Sequence, residues 1–139
     1  MVVIDISGSM GTATSKRIFL PAFFFQANGK PIFAQAKREG PIDLQYPYIT
    51  RDKITIALPP GSKVEAAPQK QVFALEQFAE YVSEAKSDAN SVIVQRTVAM
   101  ANPLYKVDEY PQLKGFFDKI NAADQQQIIL ERPTGSGGQ

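Results

Sequence analysis

The chain has 139 residues, enough to bury one hydrophobic core without disulfides or a structural metal, and its 44% apolar and 21% charged composition sits near globular averages and indicates neither wholesale disorder nor a membrane protein. Fifteen basic against fourteen acidic residues leave a net charge of +1, too little to collect polyanions, so no nucleic acid is expected as a partner and the pairs Lys16-Arg17 and Lys37-Arg38 read as solvated strand ends. There is no His and no Cys, which removes Ser-His and Cys-His nucleophile pairs, imidazole or thiolate metal sites and disulfides, and leaves catalysis only carboxylates, Lys, Tyr or a Lys-paired hydroxyl.

In chain order, Val2 to Ile6 alternates, with Val2, Ile4 and Ile6 on one face, and reads as a strand. Met1 leads directly into this apolar segment with no basic region before it, so no signal peptide is expected. Arg17 to Leu20 is a second strand. The apolar run from Ile18 to Phe25 is broken by Pro21 and is far shorter than the ~20 residues of a membrane span, so none is expected. Phe23-Phe24-Phe25 reads as a strand entering a tight turn at Asn28-Gly29, with Pro31 to Phe33 as its return. The clearest strand is Lys53 to Leu58, with Ile54, Ile56 and Leu58 on one face. Pro59-Pro60-Gly61 ends it, and Lys63 to Ala66 resumes in extended form.

From Leu75 to Ala85 the periodicity favours a helix, because Leu75, Phe78, Ala79 and Val82 follow helical spacing and Glu76, Glu80 and Glu84 form the opposite stripe. Ser91 to Met100 carries Val92, Ile93, Val94 and Val98, with Arg96 and Thr97 between them, and reads as a strand. Asp108 is placed to cap a following helix, Pro111 falls in its first turn, and Tyr110, Leu113, Phe117 and Ile120 make its apolar face. Gln127 to Leu130 is a last strand. Pro133 to Gln139, with three glycines and no apolar residue, reads as a disordered tail, so a single domain is expected over residues 1–132 and a tail over 133–139.

Three patterns suggest a site, and each has a plainer reading. Asp5-Ile6-Ser7-Gly8-Ser9 resembles the DxSxS cation motif of von Willebrand factor A domains, in which one carboxylate and two hydroxyls hold a divalent ion. That family has a long amphipathic helix after the motif, whereas Thr12 to Pro21 reads as turn and strand, so a Gly/Ser turn is preferred. The glutamates at spacing four read as a solvated face rather than an acid cluster. Phe23 to Phe25, Phe33, Tyr46 and Tyr48 could form an aromatic platform for sugars or peptides, but aromatics in a sandwich usually fill the core.

From Ser15-Lys16-Arg17 onward the chain resembles the C-terminal β-rich domain of bacterial transglutaminase-like proteins, multidomain chains with a papain-like core. The segments that carry the resemblance are Arg17-Ile18-Phe19-Leu20-Pro21 with Phe25, Pro31-Ile32-Phe33, Arg38-Glu39-Gly40-Pro41-Ile42 and Tyr46-Pro47. They continue through Ile54-Thr55-Ile56-Ala57-Leu58-Pro59 with Gly61, Val64-Glu65-Ala66-Ala67-Pro68, Glu109-Tyr110, Leu113, Phe116-Phe117, Ile120, Asp124 and Gln127-Ile128-Ile129-Leu130. The resemblance implies a hairpin over Phe78 to Arg96, with Asp88 to Asn90 at its turn, in place of the helix that periodicity suggests.

The resulting expectation is a mainly β fold, an antiparallel β-sandwich of short strands with one C-terminal α-helix followed by a final strand. The resemblance also implies a non-catalytic accessory or structural interaction domain, whose partner is the papain-like core of the same parent chain in the periplasm or outside the cell. The family's catalytic Cys, His and Asp belong to that core, so no catalytic, cofactor-binding or metal-binding residue and no cofactor is expected here. A carbohydrate- or peptide-binding sandwich and a Mg-dependent von Willebrand A-like adhesion domain are the alternatives.

Overall fold

Antiparallel pairing organises every strand among the described residues, and prolines or glycines end several of them. The computed structural model describes residues 3–5, 7, 11–26 and 29–133. Its strands are β1 (Thr12–Ala13), β2 (Arg17–Pro21), β3 (Ile42–Asp43), β4 (Tyr48–Ala57), β5 (Lys63–Ala66), β6 (Gln71–Leu75), β7 (Ala79–Ser87), β8 (Ser91–Met100), β9 (Leu104–Tyr105) and β10 (Gln127–Glu131). The helix α1 (Tyr110–Asp124) precedes β10. One sheet has the order β1-β2-β10-β5, a second β4-β8-β7-β6, and β3 pairs with β9; every pairing is antiparallel.

β4 has no proline or glycine over its length and pairs with β8 through ten consecutive positions, from Tyr48 opposite Met100 to Ala57 opposite Ser91. Pro59-Pro60 cannot continue such a ladder, and Gly61 turns the chain at φ 80°, a left-handed conformation that favours glycine. β7 and β8 form the hairpin that the family resemblance implies. Its turn is held by Asp88, whose Oδ1 accepts the backbone N–H groups of Asn90 and Ser91 at 2.7 and 2.8 Å.

The inner face of β4-β8-β7-β6 is shared by two different layers. At one end, Ala79, Tyr81, Val98 and Met100 pack against Leu113, Phe116, Phe117, Ile120 and Ala123 of α1, with Phe33 contributed by the loop before β3. At the other end, Val92 and Val94, with Ile54 and Ile56, pack against Ile128 and Leu130 of β10, with Ile18 and Leu20 of β2. The molecule is thus a β-sandwich over half of one sheet and a helix-on-sheet layer over the other half. The mainly β class, the C-terminal helix and the final strand are as the sequence predicts.

Several local expectations are corrected. The helix suggested over Leu75 to Ala85 is the end of β6, a turn and most of β7. Residues four apart share a face in a strand as well as in a helix, so the glutamate stripe does not discriminate, and the helical stripe omits Tyr81, which is fully buried. Phe23 to Phe25 form a turn rather than a strand, and Pro31 to Phe33 are not a strand but carry Phe33 onto α1. The residue capping α1 is Glu109, not Asp108, which lies in the preceding 3-10 turn. The Glu109 carboxylate accepts the Lys106 backbone N–H at 2.7 Å. Of the strand expected from Val2 to Ile6, Val3, Ile4 and Asp5 are described and are exposed without strand pairing, while Val2 and Ile6 lie outside the described residues. Asn28 and residues 134–139 of the expected tail also lie outside them.

The hairpin turn carries a pH signature. Its backbone hydrogen bonds hold the Asp88 carboxyl below the usual carboxylate range, so its stabilisation is present above the unfolded-state value and is lost as pH falls through the depressed one. Asp88→Ala is expected to lower the melting temperature at neutral pH and to have progressively less effect under acid conditions. Thermal melts of both proteins across the acid range test this, and a pH-independent difference would contradict it.

Candidate functional site

Alternation along β8 puts Val92, Val94, Arg96, Val98 and Met100 on one face, and that face is the buried one, so an arginine enters the interior. In the sheet register, Arg96 stands between Asp52 of β4 and Ser83 of β7, with Gln71 of β6 beyond. This polar row separates the two cores, because the neighbouring row toward α1 contains Val98 and Tyr81 and the neighbouring row toward β10 contains Ile54, Val94 and Ala85.

The opposite layer supplies the counter-charge. Asp124 is the last residue of α1, one helical turn beyond Ile120 on its buried face, and the chain enters β10 three residues later. Arg96 donates from Nε to Asp124 Oδ1 at 2.7 Å and from Nη2 to Oδ2 at 2.8 Å, a two-pronged pairing that fixes the carboxylate against the guanidinium. Its Nη1 donates to Asp52 Oδ2 at 3.3 Å. The Tyr81 hydroxyl donates to Asp124 Oδ1 at 3.0 Å, the Arg96 guanidinium lies 5.5 Å from the centre of the Tyr81 ring, and Phe73 stacks on the same ring. Arg96 and Asp124 side chains are 10% and 6% exposed, so water screens this pair little.

The electrostatics follow from burial and pairing. Burial works against the Arg96 charge, but its hydrogen bonds and Coulomb attraction to Asp124 outweigh it and hold the guanidinium above its ordinary value. Burial, opposed by the Ser83 hydroxyl and reinforced by the Asp124 carboxylate, pushes the Tyr81 phenol up to about 12. Chemically the cluster is closed. Both carboxylates accept hydrogen bonds from one guanidinium, and the tyrosine hydroxyl donates to one of them.

The patterns singled out in the sequence do not converge on this point. Asp5 and Ser7 are exposed, and Ile6, Gly8 and Ser9 lie outside the described residues, so the DxSxS segment is not described as a site. Glu80 and Glu84 share the outer face of β7, and Glu84 lies 3.9 Å from Lys86. Phe23 is buried in the core under β10 and Phe33 in the core under α1, whereas Tyr46 is 63% exposed. The aromatics therefore do not make one platform. A shallow depression of about 330 Å³ lies between the β5–β6 connection and the turn after α1, lined by Ala67, Pro68, Gln69, Gln71, Gln126 and Gln127. None of these side chains is ionisable. Among the described residues, no three acidic side chains are grouped as metal ligands.

Comparison with known proteins gives two matches of different kinds. The family model described as a domain of unknown function with a solved structure, DUF3858, matches residues 16–130. A crystal structure from Parabacteroides distasonis, described as a "putative protease", superposes with a TM-score of 0.67 at 14% identity. The match covers 86% of this chain and 24% of that one, so the shared fold is a small part of a longer protein there. No curated protein matches the chain.

Two outcomes follow from the closed cluster. Asp124→Ala leaves the Arg96 charge buried with only Asp52, and is expected to cost ~3–5 kcal/mol in urea unfolding, more than Asp52→Ala, whose hydrogen bond is longer and nearer solvent. Arg96→Lys is not expected to rescue stability, because a single ammonium cannot reproduce the fork; equal stability of the Asp52 and Asp124 variants would contradict the assignment. At alkaline pH, the stability contributed by the neutral Tyr81 phenol is present below the ordinary tyrosine value and is lost as pH rises toward about 12. The last step of the tyrosinate absorbance titration should therefore vanish in Tyr81→Phe.

Proposed function

The chain belongs to the DUF3858 family, and we propose that it acts as a non-catalytic accessory domain of a longer transglutaminase-like protein, packing against that protein's papain-like core. The observation that carries this reading is the closed polar cluster. Arg96, Asp52, Asp124 and Tyr81 bond to one another at the junction of the two cores, where they hold layers together rather than face a substrate. Acid-base chemistry needs a group near its working pKa within reach of a ligand, whereas this tyrosine is held far above neutrality and this arginine is engaged by two carboxylates.

Two further points support the reading. The ordered segments from Arg17-Ile18-Phe19-Leu20-Pro21 to Gln127-Ile128-Ile129-Leu130 resemble the domain that follows the papain-like core in transglutaminase-like chains. The same fold also occurs as 24% of the longer Parabacteroides distasonis chain. On this reading catalysis belongs to the rest of the parent protein, which works in the periplasm or outside the cell, and this domain stabilises or positions it.

The test is to produce the papain-like core of the parent with and without this domain. The account expects a higher melting temperature for the joined protein and no hydrolysis of peptides or esters by the domain alone. An unchanged melting temperature and unchanged activity of the core would count against packing, and peptide or ester hydrolysis by the isolated domain would overturn the non-catalytic assignment.

A further inference from the structure

β4 is the outermost strand of its sheet, and its free edge is unlike the other sheet edges. β1 has two residues, β5 four and β6 five, whereas β4 runs for ten residues in unbroken register with β8. Among the described residues, no backbone hydrogen bond reaches β4 from its far side. A long unbulged edge presents a row of unpaired N–H and C=O groups, which natural sheets usually shorten, bend or cover.

The side chains on this edge are selective. Ile49, Arg51, Lys53 and Thr55 share the outer face and are exposed, with Ile49 57% exposed. Among the described residues, neither Arg51 nor Lys53 has a carboxylate within salt-bridge distance, and their cross-strand partners on β8 are the uncharged Thr97 and Gln95. Directly opposed residues of antiparallel strands bring their Cβ atoms close enough for opposite charges to stabilise and like charges to destabilise the pair.

A second copy of this chain meets like charges when its β4 pairs antiparallel about residue 51, 52 or 53. Antiparallel pairing of β4 with itself keeps outer residues opposite outer residues. The register centred on residue 52 then sets Arg51 against Lys53 and Asp52 against Asp52. The register centred on residue 51 opposes Arg51 to itself, and the one centred on residue 53 opposes Lys53 to itself.

We propose that the free edge of β4 is a docking site for an extended acidic strand from another protein or domain, added antiparallel to the sheet. The occupant carries carboxylates at two positions two residues apart, opposite Lys53 and Arg51, and an apolar side chain two residues further on, opposite Ile49. Backbone hydrogen bonds supply the affinity, and the two cations set the register and disfavour copies of the chain paired about residues 51 to 53. This proposal does not depend on the accessory-domain reading, since the edge is defined by the chain's own sheet.

The probe is a labelled, end-blocked peptide of sequence Thr-Val-Glu-Thr-Glu-Thr-Val, titrated into the whole chain by fluorescence anisotropy, with amide NMR shifts locating the contact. Saturable binding with shifts along β4 is expected, and Arg51→Glu with Lys53→Glu should weaken it about tenfold or more. A peptide with lysines in place of the glutamates, and one with backbone N-methyl groups on the sheet-facing edge, should not bind. Both substituted residues are exposed, and a circular dichroism spectrum confirms that the variant is folded. Equal binding of the N-methylated peptide, shifts away from β4, absence of saturable binding, or dimerisation of the chain through β4 would each overturn the proposal.

Discussion

The pairing of Arg96 with Asp124 is the constraint on which the rest of the architecture depends. One sheet face must cover two unlike partners, a helix over one half and a second sheet over the other, and the boundary between them falls on the row Asp52, Arg96, Ser83 and Gln71. Apolar side chains alone would specify this boundary poorly, because hydrophobic attraction is not directional. A forked guanidinium bound by the final carboxylate of α1 fixes where the helix ends and thereby where β10 begins. Burying two charges is costly, and a well-packed apolar substitute can equal such a pair in stability. Its contribution is therefore best understood as registry.

That junction also shapes the functional reading. The most polar part of the interior is turned to holding the layers together, while among the described residues no strand pairs with the outer edge of β4. The proposed accessory role calls for a stable surface, and a cluster that joins the layers serves that need. The likeness to one segment of a much longer chain, at 14% identity, is a likeness of fold.

Much of the fold was legible because proline, glycine and period-two alternation are local signals. β2, β5, β8 and β10 coincide with segments whose apolar alternation or punctuation is plain in the sequence, whereas β4 begins at Tyr48, five residues before the strand expected from Lys53 to Leu58. The β7 arm was not, since the glutamates at spacing four satisfy helix and strand alike and only Tyr81 distinguishes the two. The Phe23 to Phe25 run misled for a different reason: Phe23 anchors a turn into the core under β10 while Phe24 and Phe25 pack edge to face at the surface. The central joint had a signal that could have been used. Arg96 sits in phase with Val92, Val94 and Val98, an arginine on the buried face of a strand, and Asp124 follows Phe117 and Ile120 on the buried face of the helix. What sequence could not give was their partnership, which is made by two elements meeting across layers.

Native-state hydrogen exchange on the wild-type chain and on Arg96→Met tests the joint most directly, because it reads the opening free energy of each layer separately. The account predicts that the slowest amides of α1 and of β10 share one opening free energy in the wild type, and that in the variant the helix opens at distinctly lower free energy than β10. Independent opening of the two elements in the wild type, or an equal loss in both in the variant, would contradict the claim that this ion pair joins the two cores into one unit.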